Sequence, residues 1–119
     1  MYTDPIVIPH ADGNISCVRI NQDSYTSEYS NRGADQAVTV KIRHTTVPAK
    51  GDKPQLDRHN VEITQRIYAV GEDPEVYKRV YVVIEQAPGD TDVKLVDALA
   101  DWLISSTNAN VVKLLGWES

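Results

Sequence analysis

The side chains that could support catalysis or metal binding are few and scattered in this sequence. His10, His44 and His59 do not fall at the HxxxH spacing that puts two imidazoles on one helix face. His44 lies on the apolar side of a predicted strand, which favours a packed, hydrogen-bonded histidine over a catalyst. The lone Cys17 stands in a β-rich run without a CxxC partner, so we expect a small buried side chain. The sequence does not predict an enzyme, since glycine-rich phosphate loops and GxSxG are also absent from it.

Acidic residues group in two places, and each group has an ordinary and a functional interpretation. One group lies at a turn and the other at a helix start, where turn chemistry and the helix dipole favour acids. If subunit contacts brought them together, the same carboxylates could hold Ca2+, which prefers oxygen ligands. We therefore expect no required cofactor, with structural Ca2+ between subunits as the one candidate. The residues concerned are Glu72, Asp73, Glu75, Asp90 and Asp92.

A third set of polar residues lies on one side of three predicted strands, at 37–46, 58–70 and 76–86. Successive side chains of a strand point to opposite faces, and each of these strands alternates apolar and polar residues. The apolar faces can merge into a floor for other elements, and the opposite faces then form one plate. Its members are Thr39, Lys41, Arg43, Thr45, Asn60, Glu62, Thr64, Arg66, Arg79, Tyr81, Val83 and Glu85.

This plate has two interpretations, and the pattern alone leaves both open. A half-buried antiparallel sheet ordinarily has one solvated face with such residues. Alternatively the plate binds nucleic acid, with lysine and arginine on phosphates, a tyrosine stacked on a base, and threonine or asparagine on base edges and sugars. In the second interpretation the phosphate contacts are Lys41, Arg43, Arg66 and Arg79, the stacking ring is Tyr81, and the base or sugar contacts are Thr39, Thr45 and Asn60.

The first ninety residues read as strands and turns, and they position the plate. Apolar runs at 5–9 (PIVIP) and 15–20 (ISCVRI) flank Asp12-Gly13, which is a strong hairpin signal. A third candidate strand covers 25–29 and ends at Asn31, Arg32 and Gly33. The three alternating strands follow, separated by turns at 47–54 and 71–75.

The last thirty residues switch to a helical period at Asp90 and Thr91. Apolar residues then recur at spacings of three and four, break at Thr107 and Asn108, resume at 111–115 and stop at Gly116. Two short helices attached to a small sheet carry more apolar surface than one copy can cover, which predicts an obligate dimer. The predicted dimer contacts are Leu95, Leu99, Trp102, Leu103, Leu114 and Leu115.

The bulk properties limit the class of protein. The 119 residues fit one domain, and 41% hydrophobic with 24% charged residues is typical of a globular chain. A net charge of -5 argues against a generic nucleic-acid binder unless the positive charges gather on one face. No apolar run reaches the roughly 18 residues of a membrane span, and the N-terminus lacks signal-peptide features. We expect no membrane partner, and a single cysteine fits a reducing cytoplasm.

Five stretches in order along nearly the whole chain are more specific than this pattern. They are INQDSYTSEY at 20–29, KIRHT at 41–45, RHNVEIT at 58–64, YVVIE at 81–85 and LLGWES at 114–119. Together they resemble the coat proteins of single-stranded RNA bacteriophages of the levivirus type, and within that family the Caulobacter-phage branch. The first nineteen residues resemble the family only in that they are predicted to form a hairpin.

The resemblance implies an α+β fold with an N-terminal β-hairpin, a five-stranded antiparallel sheet and two C-terminal helices. It implies one coat-protein domain over 1–119, with the hairpin at 1–21, the sheet at 22–88 and a helical hairpin at 89–119. Two copies would intertwine as a homodimer with a continuous ten-stranded sheet, and each copy's helices would lie across its partner.

The implied function is structural: dimers assemble into an icosahedral shell, in the bacterial host cytoplasm, and become part of the virion. The sheet faces the single-stranded genomic RNA, and better-known members also repress translation by binding an RNA hairpin. The matched RNA-facing positions are Thr39, Lys41, Arg43, Thr45, Asn60, Glu62, Thr64, Tyr81, Val83 and Glu85.

This sequence departs from better-known members of the family in two places. Its turn at 71–75 is short where they have a long loop, and Val83 stands where they often carry a polar residue. The short turn bears on the contacts at the symmetry axes, where that loop gathers in better-known members, and Val83 favours general RNA packaging over repression. Two rival functions are a non-viral dimeric β-sheet RNA-binding module, which would run as a dimer, and a small enzyme at the sheet edge, which would need converging titratable groups in a cleft.

Overall fold

The computed structural model describes residues 2–119, which form six strands followed by one helical element. The elements are β1 (Ile6–Ile8), β2 (Ile15–Gln22), β3 (Thr26–Arg32), β4 (Gln36–Val47), β5 (Leu56–Ile67), β6 (Val76–Gln86) and α1 (Lys94–Leu115). All neighbouring strands pair antiparallel, in the order β1-β2-β3-β4-β5-β6. β4, β5 and β6 are the long strands, and they carry the predicted alternation.

Tight turns connect the strands where the sequence predicts them. Gly13 closes the β1–β2 hairpin at a φ of 123°, and its N–H donates to the carbonyl of His10 at 3.0 Å. Gly51 and Gly71 adopt positive φ in the turns after β4 and β5, a conformation that costs glycine least. The registers of β4, β5 and β6 are continuous over their full length.

The core lies on one face of the sheet. Its buried members are Cys17, Tyr29, Val38, Val40 and Ile42, and Ile6, Ile8, Ile15, Val61 and Ile63 pack against them. The three β4 residues in this core are two apart, so the residues between them face the other way. The hairpin therefore contributes its apolar side chains to one face of the sheet, and the polar side of β4 is left out of the core. The prediction that Cys17 is buried is confirmed.

The strand count corrects the expectation from the resemblance. The hairpin is the first two strands of one six-stranded sheet, and the remaining four strands replace the five that were expected. The ten-stranded dimer sheet concerns two copies and stays a prediction, since β2 to β6 give five consecutively paired strands per copy. β3 also runs further than predicted, because Arg32 pairs with Ala37 of β4 and the ladder continues to the turn.

The two predicted helices are joined in one element, α1, which is interrupted between them. Ser105 through Asn108 have non-helical dihedrals inside α1, and the last three of them have φ between 54° and 65°. Asn110 Nδ2 donates to the Trp102 carbonyl at 2.6 Å, so this break leaves that carbonyl with a partner. The predicted break at Thr107 and Asn108 is therefore an interruption within one element.

The chain divides into two compact units, one up to Pro88 and one from Gly89 onward. In the second unit, Asp90 Oδ1 accepts from the N–H of Asp92, and Asp92 Oδ1 accepts from the N–H of Lys94, each at 2.9 Å. α1 has no buried residue in the described chain. Among residues 2–119, no helix has the length and apolar character needed to cross a membrane.

Candidate nucleic-acid interface

The strand registers arrange the predicted plate in rows across the sheet. Side chains of directly opposed residues on neighbouring strands share a face. All twelve predicted members therefore lie on one side of the sheet, which we call the polar face. From the β5–β6 turn outward, the rows over β4, β5 and β6 are Ala37-Arg66-Tyr77, Thr39-Thr64-Arg79, Lys41-Glu62-Tyr81, Arg43-Asn60-Val83 and Thr45-Arg58-Glu85.

The twelve predicted residues line three separate depressions on the polar face. The central depression, about 540 Å³, is lined by Arg43, Thr45, Arg58, Asn60, Glu62, Arg79, Tyr81, Val83 and Glu85. Thr39, Thr64 and Arg66 line a separate end depression together with Arg32, Ala37, Tyr68 and Tyr77. Lys41 lines a third depression, towards β2 and β3, that it shares with Arg43.

Glu62 occupies the middle of the central depression and pairs with two arginines. One of its carboxylate oxygens bonds Arg43 Nη2, and the other lies 3.6 Å from Arg79 Nη1. The Glu62 side chain is only 12% exposed, whereas both arginines are about half exposed. A less solvated carboxylate interacts more strongly with neighbouring charges. Glu62 therefore holds both guanidinium groups close to the sheet and balances part of their charge.

A second ion pair lies at the far end of the same depression. Arg58 Nη2 is 3.0 Å from Glu85 Oε1, and both side chains are substantially exposed. Sequence reasoning missed Arg58, although it stands two residues before Asn60 on the same strand. The period of two was the signal that could have found it.

Tyr81 has a cation beside its ring. The Arg79 guanidinium carbon is 5.5 Å from the ring centroid, which is a cation–π distance. The Tyr81 side chain is exposed. The ring is thus held by a neighbour and remains open to a flat ligand.

Asn60 supplies the one buried polar side-chain atom, in residues 2–119, that has no hydrogen-bond partner. Its Oδ1 is an acceptor, and a buried acceptor without a donor costs free energy. Asn60 lines the central depression beside Arg43 and Val83.

The polar face is positive although the chain is negative. On β3 to β6, the described strands place six cationic side chains there against three carboxylates. The cations are Arg32, Lys41, Arg43, Arg58, Arg66 and Arg79, and the carboxylates are Glu28, Glu62 and Glu85. A chain with negative net charge can bind nucleic acid if its positive residues gather on one face, and the strands of this chain arrange them in that way.

The predicted metal residues do not form a cluster within one chain. Glu75 pairs with Arg66 at 3.1 Å, and Asp73 closes the β5–β6 turn with Val70. Asp90 and Asp92 are the helix-start residues described above. In the described part of the chain, no three His, Cys, Asp or Glu residues are arranged to hold a metal ion.

The histidines lie apart from the polar face. His44 and His59 are opposite each other on β4 and β5, with their Nδ1 atoms 2.8 Å apart. The expectation that His44 is hydrogen-bonded is confirmed, although in the described chain it is exposed rather than packed. The pair faces the side of the sheet that carries the core.

Among residues 2–119, two groups have shifted pKa values. Burial raises the pKa of the Cys17 thiol, which keeps it neutral. Asp23 borders the third depression, and the backbone N–H groups of Tyr25 and Thr26 donate to its Oδ1 at 2.9 and 2.8 Å. These hydrogen bonds lower the pKa of Asp23, with the Tyr25 bond as the largest cause.

Comparison with known structures places this fold among phage coat proteins. The coat protein of bacteriophage EMS014 has a TM-score of 0.61 at 10% identity, over 86% of this chain and 72% of that one. An unassembled bacteriophage coat protein dimer, described as RNA-binding, has a TM-score of 0.53 at 16% identity, over 97% and 93% of the two chains. No curated protein matches the sequence.

A sequence-family match decides the identity. The family of the phage phiCb5 coat protein matches residues 3–87, a span that covers all six strands and the whole polar face. This agrees with the resemblance carried by the five short stretches and removes the non-viral module as a rival. The chain belongs to the phage phiCb5 coat protein family, and its function is that of a viral coat subunit.

Proposed function

We propose that this coat subunit binds single-stranded RNA on its polar face, self-associates through β6 and α1, and has no catalytic role. The observation that carries the RNA assignment is the gathering of six cations on one face of a chain whose net charge is negative. Phosphates supply most of the affinity in such complexes, because cations on the protein release counterions from the nucleic acid. Depressions lined by arginine, tyrosine and asparagine then suit unpaired bases.

Single-stranded rather than double-stranded RNA fits the geometry. Tyr81 is exposed at the sheet surface, and a base can stack on it only when the base is unpaired and splayed out. The Asn60 side chain lines the same depression. The combination matches the stacking rings and positive grooves that bind single strands with little sequence preference.

Self-association is supported by surfaces that one chain leaves uncovered. β6 ends the strand order and, within the described sheet, pairs only with β5 along its eleven residues. Val80 and Val82 of β6 are exposed on the side opposite the polar face. Leu95, Leu99 and Trp102 of α1 are exposed as well. A second copy pairing at β6 would extend the sheet, and the helices would cover apolar surface on the partner.

Assembly beyond the dimer follows the family role. We propose that dimers form an icosahedral shell around viral RNA, that the shell is assembled in the bacterial host cytoplasm, and that the polar face points inward. We also propose that Ca2+ ions bind between the subunits of this shell. Because one chain lacks a three-residue cluster among residues 2–119, such an ion would have to collect carboxylates from different copies.

The RNA assignment is tested with one charge on each side of the sheet. Arg43→Ala removes a cation from the polar face, and the matched control Lys78→Ala removes one from the opposite side of β6. RNA affinity of the purified protein is measured over a salt series, together with RNA content of particles. We expect Arg43→Ala to weaken binding and to reduce the slope of log affinity against log salt by about 0.7, the value for one phosphate on a single strand. Equal effects of both variants, or none, would overturn the assignment.

A further inference from the structure

The end depression combines three residues of the predicted plate, Thr39, Thr64 and Arg66, with Arg32 and Tyr77, which the sequence did not predict as RNA contacts. Its volume is about 390 Å³, and it shares no lining residue with the central depression. We propose that it is a second nucleotide-binding subsite, in which Arg32 and Arg66 bind the phosphate and Tyr77 stacks on the base. This inference rests on the proposed RNA function, because it extends the same face towards the β5–β6 turn.

The strand register brings the two arginines around a gap. Arg32 is opposite Ala37, Ala37 is opposite Arg66, and Arg66 is opposite Tyr77. Neighbouring strands lie about 4.8 Å apart, so the backbones of the two arginines are roughly 10 Å apart. Ala37 between them has only a methyl group, which leaves room above the sheet. Two guanidinium groups can therefore converge on one phosphate above Ala37, each with paired N–H donors.

The charges favour an anion in this position. In the described chain, no carboxylate lies within ion-pair distance of Arg32. Arg66 pairs with Glu75 at 3.1 Å, but both side chains are about half exposed. An exposed pair of this kind contributes little. A phosphate that contacts both arginines can replace it, since it pairs with Arg32 at the same time.

The remaining lining residues suit a nucleoside. The Tyr77 ring is 60% exposed at the rim, and Tyr68 is half buried with its backbone N–H fixed to the Asp35 carbonyl at 3.0 Å. Thr39 and Thr64 are opposite each other and provide hydroxyl groups near the floor. Hydroxyl groups can bond the ribose 2′-OH, which distinguishes RNA from DNA. The volume falls within the range of small-ligand sites, about 300–1,000 Å³.

We favour single-stranded RNA over an isolated nucleotide as the ligand, because the central and end depressions are both lined by residues of β6. Tyr77 and Tyr81 are four residues apart on β6, about 13 Å along one face. Arg79 lies between them on that face. One extended RNA strand can thus place two bases, separated by an intervening nucleotide, on the two tyrosines and pass its backbone over Arg79.

Crosslinking on the unaltered protein locates the contacts directly. The assembled protein is loaded with 4-thiouridine-substituted oligouridylate, irradiated and digested with trypsin. Cleavage after Arg66, Lys78 and Arg79 puts Tyr68 and Tyr77 on the peptide 67–78 and Tyr81 on the peptide 80–94. We expect crosslinks on both peptides. Absence of crosslinks on 67–78 with strong crosslinking on 80–94 would overturn the second subsite and leave the proposed function intact.

Variants supply the energetic test. Arg32→Ala should weaken binding of a 12-nucleotide oligouridylate about fivefold, as expected for one exposed charge contact, and lower the salt slope by about 0.7. Tyr77→Phe keeps the ring and should bind as wild type, whereas Tyr77→Ala should bind more weakly at every salt concentration. Wild-type binding by Arg32→Ala and Tyr77→Ala, with weakened binding by Arg43→Ala, would overturn the inference alone. Wild-type binding by all three would overturn the RNA assignment as well.

Discussion

The guanidinium of Arg79 lies over the ring of Tyr81, with its central carbon 5.5 Å from the ring centroid. The same guanidinium has an Nη1 atom 3.6 Å from a Glu62 oxygen, so the arginine is held from two sides. The ring that we propose as the stacking platform is therefore oriented before RNA arrives. Ordering the site in advance reduces the entropy lost on binding.

Glu62→Gln should strengthen RNA binding and make it less selective. The substitution keeps the side-chain size but removes the charge that pairs with Arg43 and Arg79. Both arginines then become available to phosphates, and the salt slope should steepen by up to about 1.4, or 0.7 for each. The measurement is the affinity for several unrelated single-stranded RNAs over a salt series.

Glu28→Gln is the matched control for this prediction. Glu28 also lies on the polar face, opposite Lys41, but no ion pair joins it to a cation in the described strands. Glu28→Gln should raise the affinity for RNA less than Glu62→Gln does. Equal RNA affinities of the two variants would mean that only the net charge of the polar face matters. The ion pairs of Glu62 with Arg43 and Arg79 would then have no separate effect on RNA binding.

Tyr81→Ala should weaken RNA binding without changing its salt dependence. Stacking of one base on an aromatic ring is worth about 1–3 kcal/mol, and the ring carries no charge to exchange with counterions. Tyr81→Phe keeps the ring and separates stacking from any hydrogen bond to the hydroxyl group. Affinities measured over a salt series should fall in parallel for Tyr81→Ala and stay at wild type for Tyr81→Phe. A changed slope would assign Tyr81 to positioning Arg79 instead.

The sequence predicted the polar face well because a strand has a simple period. Alternation alone put Lys41, Arg43 and their neighbours on one side, and the bounds of β6 were predicted as they occur. The side of each residue follows from its parity once a strand is recognised. The composition of the polar face was therefore predictable before any tertiary contact was known.

The residues that were missed depend on pairing between strands. Arg32 looked like part of a turn because Gly33 follows it, yet its pairing with Ala37 extends β3 and puts Arg32 on the polar face. The gap above Ala37 exists only because two arginines on different strands flank a small residue. The ion pairs of Glu62 are likewise cross-strand contacts, which a single strand's pattern does not specify.

Removal of Ca2+ should lower the thermal stability of assembled particles. The motive is the acidic β5–β6 turn, where Glu72 and Asp73 would need a cation if copies bring these turns close together. Particles are melted with and without EGTA at fixed ionic strength, and Ca2+ or Mg2+ is then added back. We expect a lower melting temperature that Ca2+ restores and Mg2+ does not.

Two acidic variants distinguish a shared ion from ordinary turn chemistry. The double variant Glu72→Gln, Asp73→Asn should abolish the response to EGTA. Asp52→Asn, in the turn between β4 and β5, is the control and should retain it. Identical melting of wild-type particles in Ca2+ and in EGTA would leave the acids with turn and helix-start roles only.

Trp102→Asp should abolish assembly while leaving the sheet folded. Trp102 belongs to the apolar residues of α1 that one chain leaves about half exposed, and we propose that a second copy buries it. A carboxylate at that contact would be desolvated without a partner, which costs several kcal/mol per ion. Particle mass is measured by light scattering, and strand content is followed by circular dichroism. Asp101→Ala changes the neighbouring polar position of the helix and should assemble normally. Wild-type particles from Trp102→Asp would show that α1 lies outside the interface, and the dimer would then rest on the β6 edge alone.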